Sequence, residues 1–373
     1  MYCQLTELNT KCLWIIRDSM KNKFEIDSAL NYAHEAGFDI VFVQVRGRGD
    51  AFYESNIVSK HPDIEDGFDP LSYAIDLGHS LNLEVHAWVN CYILWSSKYK
   101  PYSSNHIFYT KPEWTEADLY GKMDSKIVLN SPKSSQWEGI YLSPIHPEVN
   151  LYLADVFREI INNYNIDGLH FDYIRYQDDF YGYNPTGRKE FDSKYGIDPR
   201  DIVRGIISTR YGWNQIFVDS MKTSWKNYRT QKVTELVEYV NADIEKSGKD
   251  IKLSAAVKPN LLIAQDRWFQ NWGDWLEKGL VDFVVPMNYF KDLKDFNLSV
   301  QIMKNNISSE NISKIVMGIA TYNQDAQSSA DKILMTRLNG FYGVSIFSYD
   351  SHKNNLEWFI PVIEALGSPF EKN

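Results

Sequence analysis

The feature that most constrains this chain is a count: eight short apolar runs, each followed by a helix-patterned segment or a long insertion. The runs occupy 12–16, 39–47, 84–90, 165–176, 252–259, 282–290, 314–322 and 343–350. The helical patterns follow at 24–36, 70–81, 147–164, 222–246, 272–278, 298–306, 330–339 and 356–366. Strict alternation of this kind implies right-handed crossovers and a parallel sheet. Eight units predict closure into a (β/α)8 TIM barrel rather than an open doubly wound sheet. No glycine-rich phosphate fingerprint follows the first run, which also disfavours a dinucleotide fold. We therefore expect one catalytic domain over 1–373, with its core at about 12–366.

A barrel alone takes about 250 residues, so roughly 120 are extra. They fall mainly after the third and fourth runs, at about 91–145 and 177–222, on the face where barrel enzymes build their sites. Both insertions are rich in aromatics, Trp95, Tyr99, Trp114 and Trp137 in one, Phe180, Tyr181 and Trp213 in the other. That content argues for ordered cleft walls rather than disorder.

The fourth run, "NIDGLHFDYIRY", carries the sharpest chemical signal. At period two, Leu169, Phe171 and Tyr173 share one side, and His170 and Asp172 the other. A carboxylate facing a barrel interior is costly unless it meets partners or substrate. The structural alternative is a buried ion pair with an arginine such as Arg46. Other run ends also present polar groups: Gln44, Arg46 and Asp50 after the second, His86, Trp88 and Asn90 on the third, Arg175 beyond the fourth, Lys258 on the fifth, Asn288 and Tyr289 on the sixth, Tyr322 on the seventh, Tyr349 on the eighth. Together they predict a hydrogen-bonding mouth around one carboxylate, suited to a ligand with many hydroxyls. Trp88, Trp95, Tyr289 and Tyr322 are the candidate sugar-stacking rings.

Charge and cysteine usage narrow the partners. The net charge of −10 argues against a nucleic-acid partner. Three cysteines, Cys3, Cys12 and Cys91, have neither metal spacing nor an even count, so neither a zinc site nor a disulfide scaffold is expected. No cofactor is expected. No run of about 18 apolar residues predicts a membrane span. The N-terminus lacks a secretory pattern, which leaves a cytoplasmic protein or one whose signal has been removed.

Four motifs, "FVQVRGRGDAFYES", "VHAWVN", "DGLHFDYIRY" and "LVDFVVPMNYF", resemble the glycosyl-hydrolase-like ten family of bacterial barrels, in that family's order. The resemblance implies a glycoside hydrolase acting on a carbohydrate substrate, in some members peptidoglycan glycan strands stripped of peptide. It implies export or a cell-envelope location for many members. It highlights Asp172, Arg46, Asp50, His86 and Asn90. The chain departs from the family at Asn271, where an acidic residue is common. "DGLHFDYI" is also similar to the acidic motif of family-eighteen chitinases, but Ile174 stands at the catalytic glutamate position.

Glycosidic cleavage generally uses two carboxyl groups. Asp172 is expected as one, as nucleophile or base, with Asp50 or Asp266 as its partner. Two other classes stay open. A non-catalytic glycan-binding barrel would keep the aromatic walls without a second carboxylate. A metal-dependent hydrolase or deacetylase would bring His86 and His170 together beside Asp172.

Overall fold

The computed structural model describes residues 6–131 and 137–367. Its strands are β1 (Thr10–Ile15), β2 (Ile40–Arg46), β3 (Glu84–Asn90), β4 (Ile93–Trp95), β5 (Ile140–Tyr141), β6 (Gly168–Asp172), β7 (Lys252–Val257), β8 (Phe283–Pro286), β9 (Val316–Ala320) and β10 (Gly343–Phe347). Eight of them form one parallel sheet in the order β8-β7-β6-β3-β2-β1-β10-β9. The two ends meet through bridges from Val284 to Ile315 and from Met287 to Gly318, which nearly closes the ring. The expected TIM barrel is what forms.

Burial on both faces explains why the strands read as continuous apolar runs. In β2, Val41, Val43 and Val45 pack outward beneath the helices, while Ile40 and Phe42 fill the barrel interior. Helix boundaries follow their caps. The helices Leu293–Asn306 and Ala326–Leu338 begin about a turn earlier than apolar spacing suggests. Asp292 and Asp325 accept first-turn amides and carry the helices through polar sequence. Cys12 and Cys91 are buried free thiols, and Cys3 lies outside the described residues. No described helix is long and apolar enough to cross a membrane.

The two insertions are ordered and joined. The first begins and ends in a ribbon, β4 against β5. The second contains the helices Pro185–Tyr195 and Pro199–Val203, and then the start of a 33-residue helix, Gln215–Ser247, longer than predicted. Backbone bonds from Leu119 N to Phe180 O (3.0 Å) and from Tyr183 N to Ala117 O (3.1 Å) tie one insertion to the other. Arg229 locks the junction, its guanidinium 3.8 Å over the Phe269 ring while donating to the Asp179 and Tyr181 carbonyls.

Candidate active site

The barrel is plugged beneath its mouth. Trp14 stands at the centre, its ring 4.6 Å from those of both Trp88 and His170. His170 stacks on Phe42 at 4.1 Å, and its Nδ1 lies 2.7 Å from Ser254 Oγ. His86 sits one layer lower, against the bare backbone of Gly168, and its Nε2 reaches Glu84 at 3.2 Å. Burial depresses both imidazoles, so both are neutral. Their expected inward direction is right, but their height is not: they belong to the packed interior. Trp88, buried as well, donates to Asn90 Oδ1 at 2.9 Å and forms the floor rather than a sugar platform.

Above this plug the strand ends present polar groups. Asn90 and Asp172 are register partners on β3 and β6, which places them side by side. Asp172 Oδ1 accepts the Tyr173 amide at 2.7 Å, a contact made where Tyr173 adopts a left-handed φ of 51°. Asp172 keeps 6% of its surface exposed. Burial pushes its carboxyl up to about 6, against the Tyr173 amide and the Arg175 and Lys258 charges, while Glu138 adds to the rise. Gln44 reaches Asn90 at 3.4 Å and accepts from Arg17 Nη1 at 3.2 Å. Arg17 lies over Gly47, where a Cβ would come within 2.5 Å of it.

The second acidic group at this mouth is Glu138, which sequence reasoning did not single out. It stands two residues before β5, whose Ile140 pairs with Trp95 of β4. Its carboxylate takes a 3.0 Å bond from Arg175 Nη2 and another from the Tyr141 hydroxyl. Burial alone would raise it, but Arg175, Lys258 and Tyr141 more than offset this and hold it below the ordinary glutamate range. The signal available in the sequence was slight, an acidic residue between Trp137 and Gly139 in a stretch without periodicity.

Lys258 completes the cluster. Its ammonium lies 4.7 Å from the Trp268 ring centre, and its backbone is fixed by Gln270 Oε1 (2.8 Å) and by Trp272 Nε1 (3.0 Å). Burial, then Arg175, brings it down to about 8. It opens onto a cleft of about 590 Å3 lined by Trp268, Tyr289, Phe290 and Asp295. Tyr289 stacks on Phe347 at 5.5 Å, and the exposed Tyr322 meets both rings edge-on.

The remaining predicted residues stand elsewhere. A bulge after Gln44 turns Arg46 outward, where it is fully buried and donates to the Asn90 and Cys91 carbonyls. Arg175 is buried too, and its side-chain bond at the mouth is to Glu138. Asp50 accepts the Arg48 amide at 3.2 Å and turns toward His61 at 3.7 Å. Asp266 lies on the helix Leu261–Arg267, largely exposed and paired with Lys226. Asn288 bonds the Phe296 carbonyl in the outer wall. Trp95 is buried and donates to the Tyr99 carbonyl at 2.6 Å. Tyr349 packs outward on Tyr32, 5.6 Å between rings, because β10 gives way to a tight turn. Among the described residues, no three His, Cys, Asp or Glu side chains are grouped to hold a metal ion.

Comparison with known proteins agrees with this fold. The sequence profile of the family described as "Glycosyl hydrolase-like 10" matches residues 8–336. The chain is 25% identical over 286 residues to the glycosyl hydrolase YngK of Bacillus subtilis, covering 72% of this chain and 49% of that protein. It is 25% identical over 283 residues to the glycosyl hydrolase DigH of Escherichia coli, covering 70% and 56%. The chain thus spans about half the length of these relatives. Its fold matches the glycoside hydrolase domain of PgaB (BpsB) from Bordetella bronchiseptica with a TM-score of 0.70, at 13% identity, over 98% of this chain and 99% of that one. It also matches a β-galactosidase from Bacillus circulans, with a TM-score of 0.64 at 11% identity, over 97% and 56%.

Proposed function

The chain belongs to the glycosyl hydrolase-like 10 family, and from that premise we propose that it is a glycoside hydrolase whose two working carboxyl groups are Asp172 and Glu138. One observation carries the reading: two carboxyl groups at one barrel mouth are pushed in opposite directions, Asp172 up to about 6 and Glu138 below its ordinary range. Environments that separate two carboxylic acids in this way assign acid and base. Asp172 holds the proton for the departing glycosidic oxygen. Glu138, kept ionised by Arg175, attacks the anomeric carbon or activates water. Asp172 thereby takes the acid's part, although its sequence context alone favoured nucleophile or base.

The substrate is an oligosaccharide or polysaccharide, with a peptidoglycan-type glycan as the first candidate from the family resemblance. Tyr289, Tyr322 and Phe347 offer ring faces and edges beside the carboxyls for apolar faces of sugar rings. Glu138 supplies the second carboxyl that a purely glycan-binding barrel would lack.

The test incubates wild type, Asp172→Asn, Glu138→Gln and Asp266→Asn with peptide-free peptidoglycan strands, chitooligosaccharides and other polysaccharides. Reducing ends made by wild type, reduced by about 10²–10⁴-fold in the first two variants and unchanged in Asp266→Asn, are expected. Glycan binding by wild type without any product would instead identify a binding module.

A further inference from the structure

A second groove lies outside the mouth, in the first insertion, and its charge is at odds with the rest of the molecule. It has a volume of about 410 Å3 and is lined by Lys98, Lys100 and Lys126, by Phe108 and the apolar stretch 127–129, and, among the described residues, by no acidic one. The three lysines are exposed, and among the described residues none forms an ion pair within 4 Å. In a chain of net charge −10, three unpaired cations around one groove are not accounted for by neutralising local carboxylates.

The segment that carries the groove's first two lysines is tied to the mouth by hydrogen bonds. Lys98 and Lys100 follow β4, and Tyr99 between them accepts the Trp95 indole bond. Trp95 pairs with Ile140, two residues beyond Glu138. From the other side, Arg48 donates to Ser96 Oγ at 3.0 Å, and it lies close enough to Arg17 for the two charges to repel. Arg17 in turn bonds Gln44 at the barrel mouth. Arg48 thus stands between the barrel mouth and the segment that carries Lys98 and Lys100, with Asp50 and Asp18 also acting on its charge.

We propose that this groove is an accessory binding site for an anionic polysaccharide, a glycan whose repeating units carry carboxylate or phosphate groups. It would hold the charged strand beside the mouth while the neutral polar groups there engage one linkage. The proposal rests on the glycan-hydrolase reading for its ligand class, but not on turnover. A nucleic acid is the poorer fit. Among the described residues Phe108 is the one aromatic ring lining the groove, which offers successive bases no stacking series.

The experiment uses the full chain carrying Asp172→Asn, so that binding is read without hydrolysis, and compares it with the same chain carrying Lys98→Gln, Lys100→Gln and Lys126→Gln. Probes are polygalacturonate for carboxylates, polyglycerol phosphate for phosphodiesters, neutral hydroxyethyl cellulose and a single-stranded oligonucleotide. At least one anionic glycan should bind, more weakly as salt rises from about 50 to 200 mM, and the triple variant should lose about tenfold or more in affinity. Which of the two binds identifies the charged group. The proposal is overturned by equal affinity in the triple variant, by no binding of either anionic glycan, or by tighter binding of the oligonucleotide or the neutral polymer. Absent hydrolysis by wild type together with intact, lysine-dependent binding would remove only the hydrolase reading.

Discussion

At the scale of single residues, the mouth is governed by how unequally two carboxyls are solvated and paired. Asp172 meets one backbone amide at the end of β6 and is otherwise starved of water, so burial favours its neutral form. Glu138 is touched directly by a guanidinium and a phenol, which favour its ionised form. The pH profile follows from the two signs. Activity that needs protonated Asp172 is present below about pH 6 and is lost as pH rises through that value. Activity that needs ionised Glu138 is lost as pH falls through its depressed value. A plot of kcat/KM against pH should therefore be bell-shaped, with its alkaline limb near pH 6. A plateau continuing through pH 8 would assign Asp172 to the ionised role. The left-handed Tyr173 belongs to the same account. Non-glycine residues in that region cost about 1–3 kcal/mol, and here the cost falls where the Asp172 carboxyl is held.

At the scale of elements, Glu138 owes its position to a two-residue strand. The ribbon of β4 and β5 is short, and it stays in place because Trp95 is buried beneath it and Gly139 lets two backbones touch. Gly139 has φ 153°, and a Cβ there would stand 2.6 Å from the Trp95 carbonyl oxygen. Backbone cannot yield as a side-chain tip does. Gly139→Ala should shift the preceding Glu138 and lower kcat by about 10²-fold, in line with the cost of small misplacements. Its far-ultraviolet circular dichroism should remain that of wild type. Unchanged kcat in a folded variant would take Glu138 out of the chemistry.

At the scale of the whole molecule, the barrel is a packed column with the proposed site on top. Its height is set by interior residues such as Trp14, Phe42, His86 and His170, whose rings pack against one another beneath the carboxyls. A tight point is Gly168, where a Cβ would lie 2.3 Å from His86 Nδ1. Gly168→Ala should lower unfolding free energy by about 1–3 kcal/mol, the usual cost of overpacking a filled interior. Urea denaturation measures it. A midpoint equal to wild type would mean that the interior gives way more easily than its packing implies.

The sequence by itself determined the fold and one half of the proposed site. Eight apolar runs in alternation with helical patterns leave little but a closed barrel, because both strand faces must be buried. Period-two spacing then directed Asp172 and Asn90 inward. It directed His86 and His170 inward as well, yet alternation specifies a side and not a height, so it could not separate plug from mouth. Nor could it foresee the bulge in β2 that turns Arg46 into the wall. Glu138 was decided by tertiary structure alone. It lies in an aperiodic insertion, 34 residues before Asp172, and only the pairing of β4 with β5 brings it to Arg175. Proton affinity is a property of surroundings, and the surroundings of both carboxyls are assembled from segments far apart in the chain.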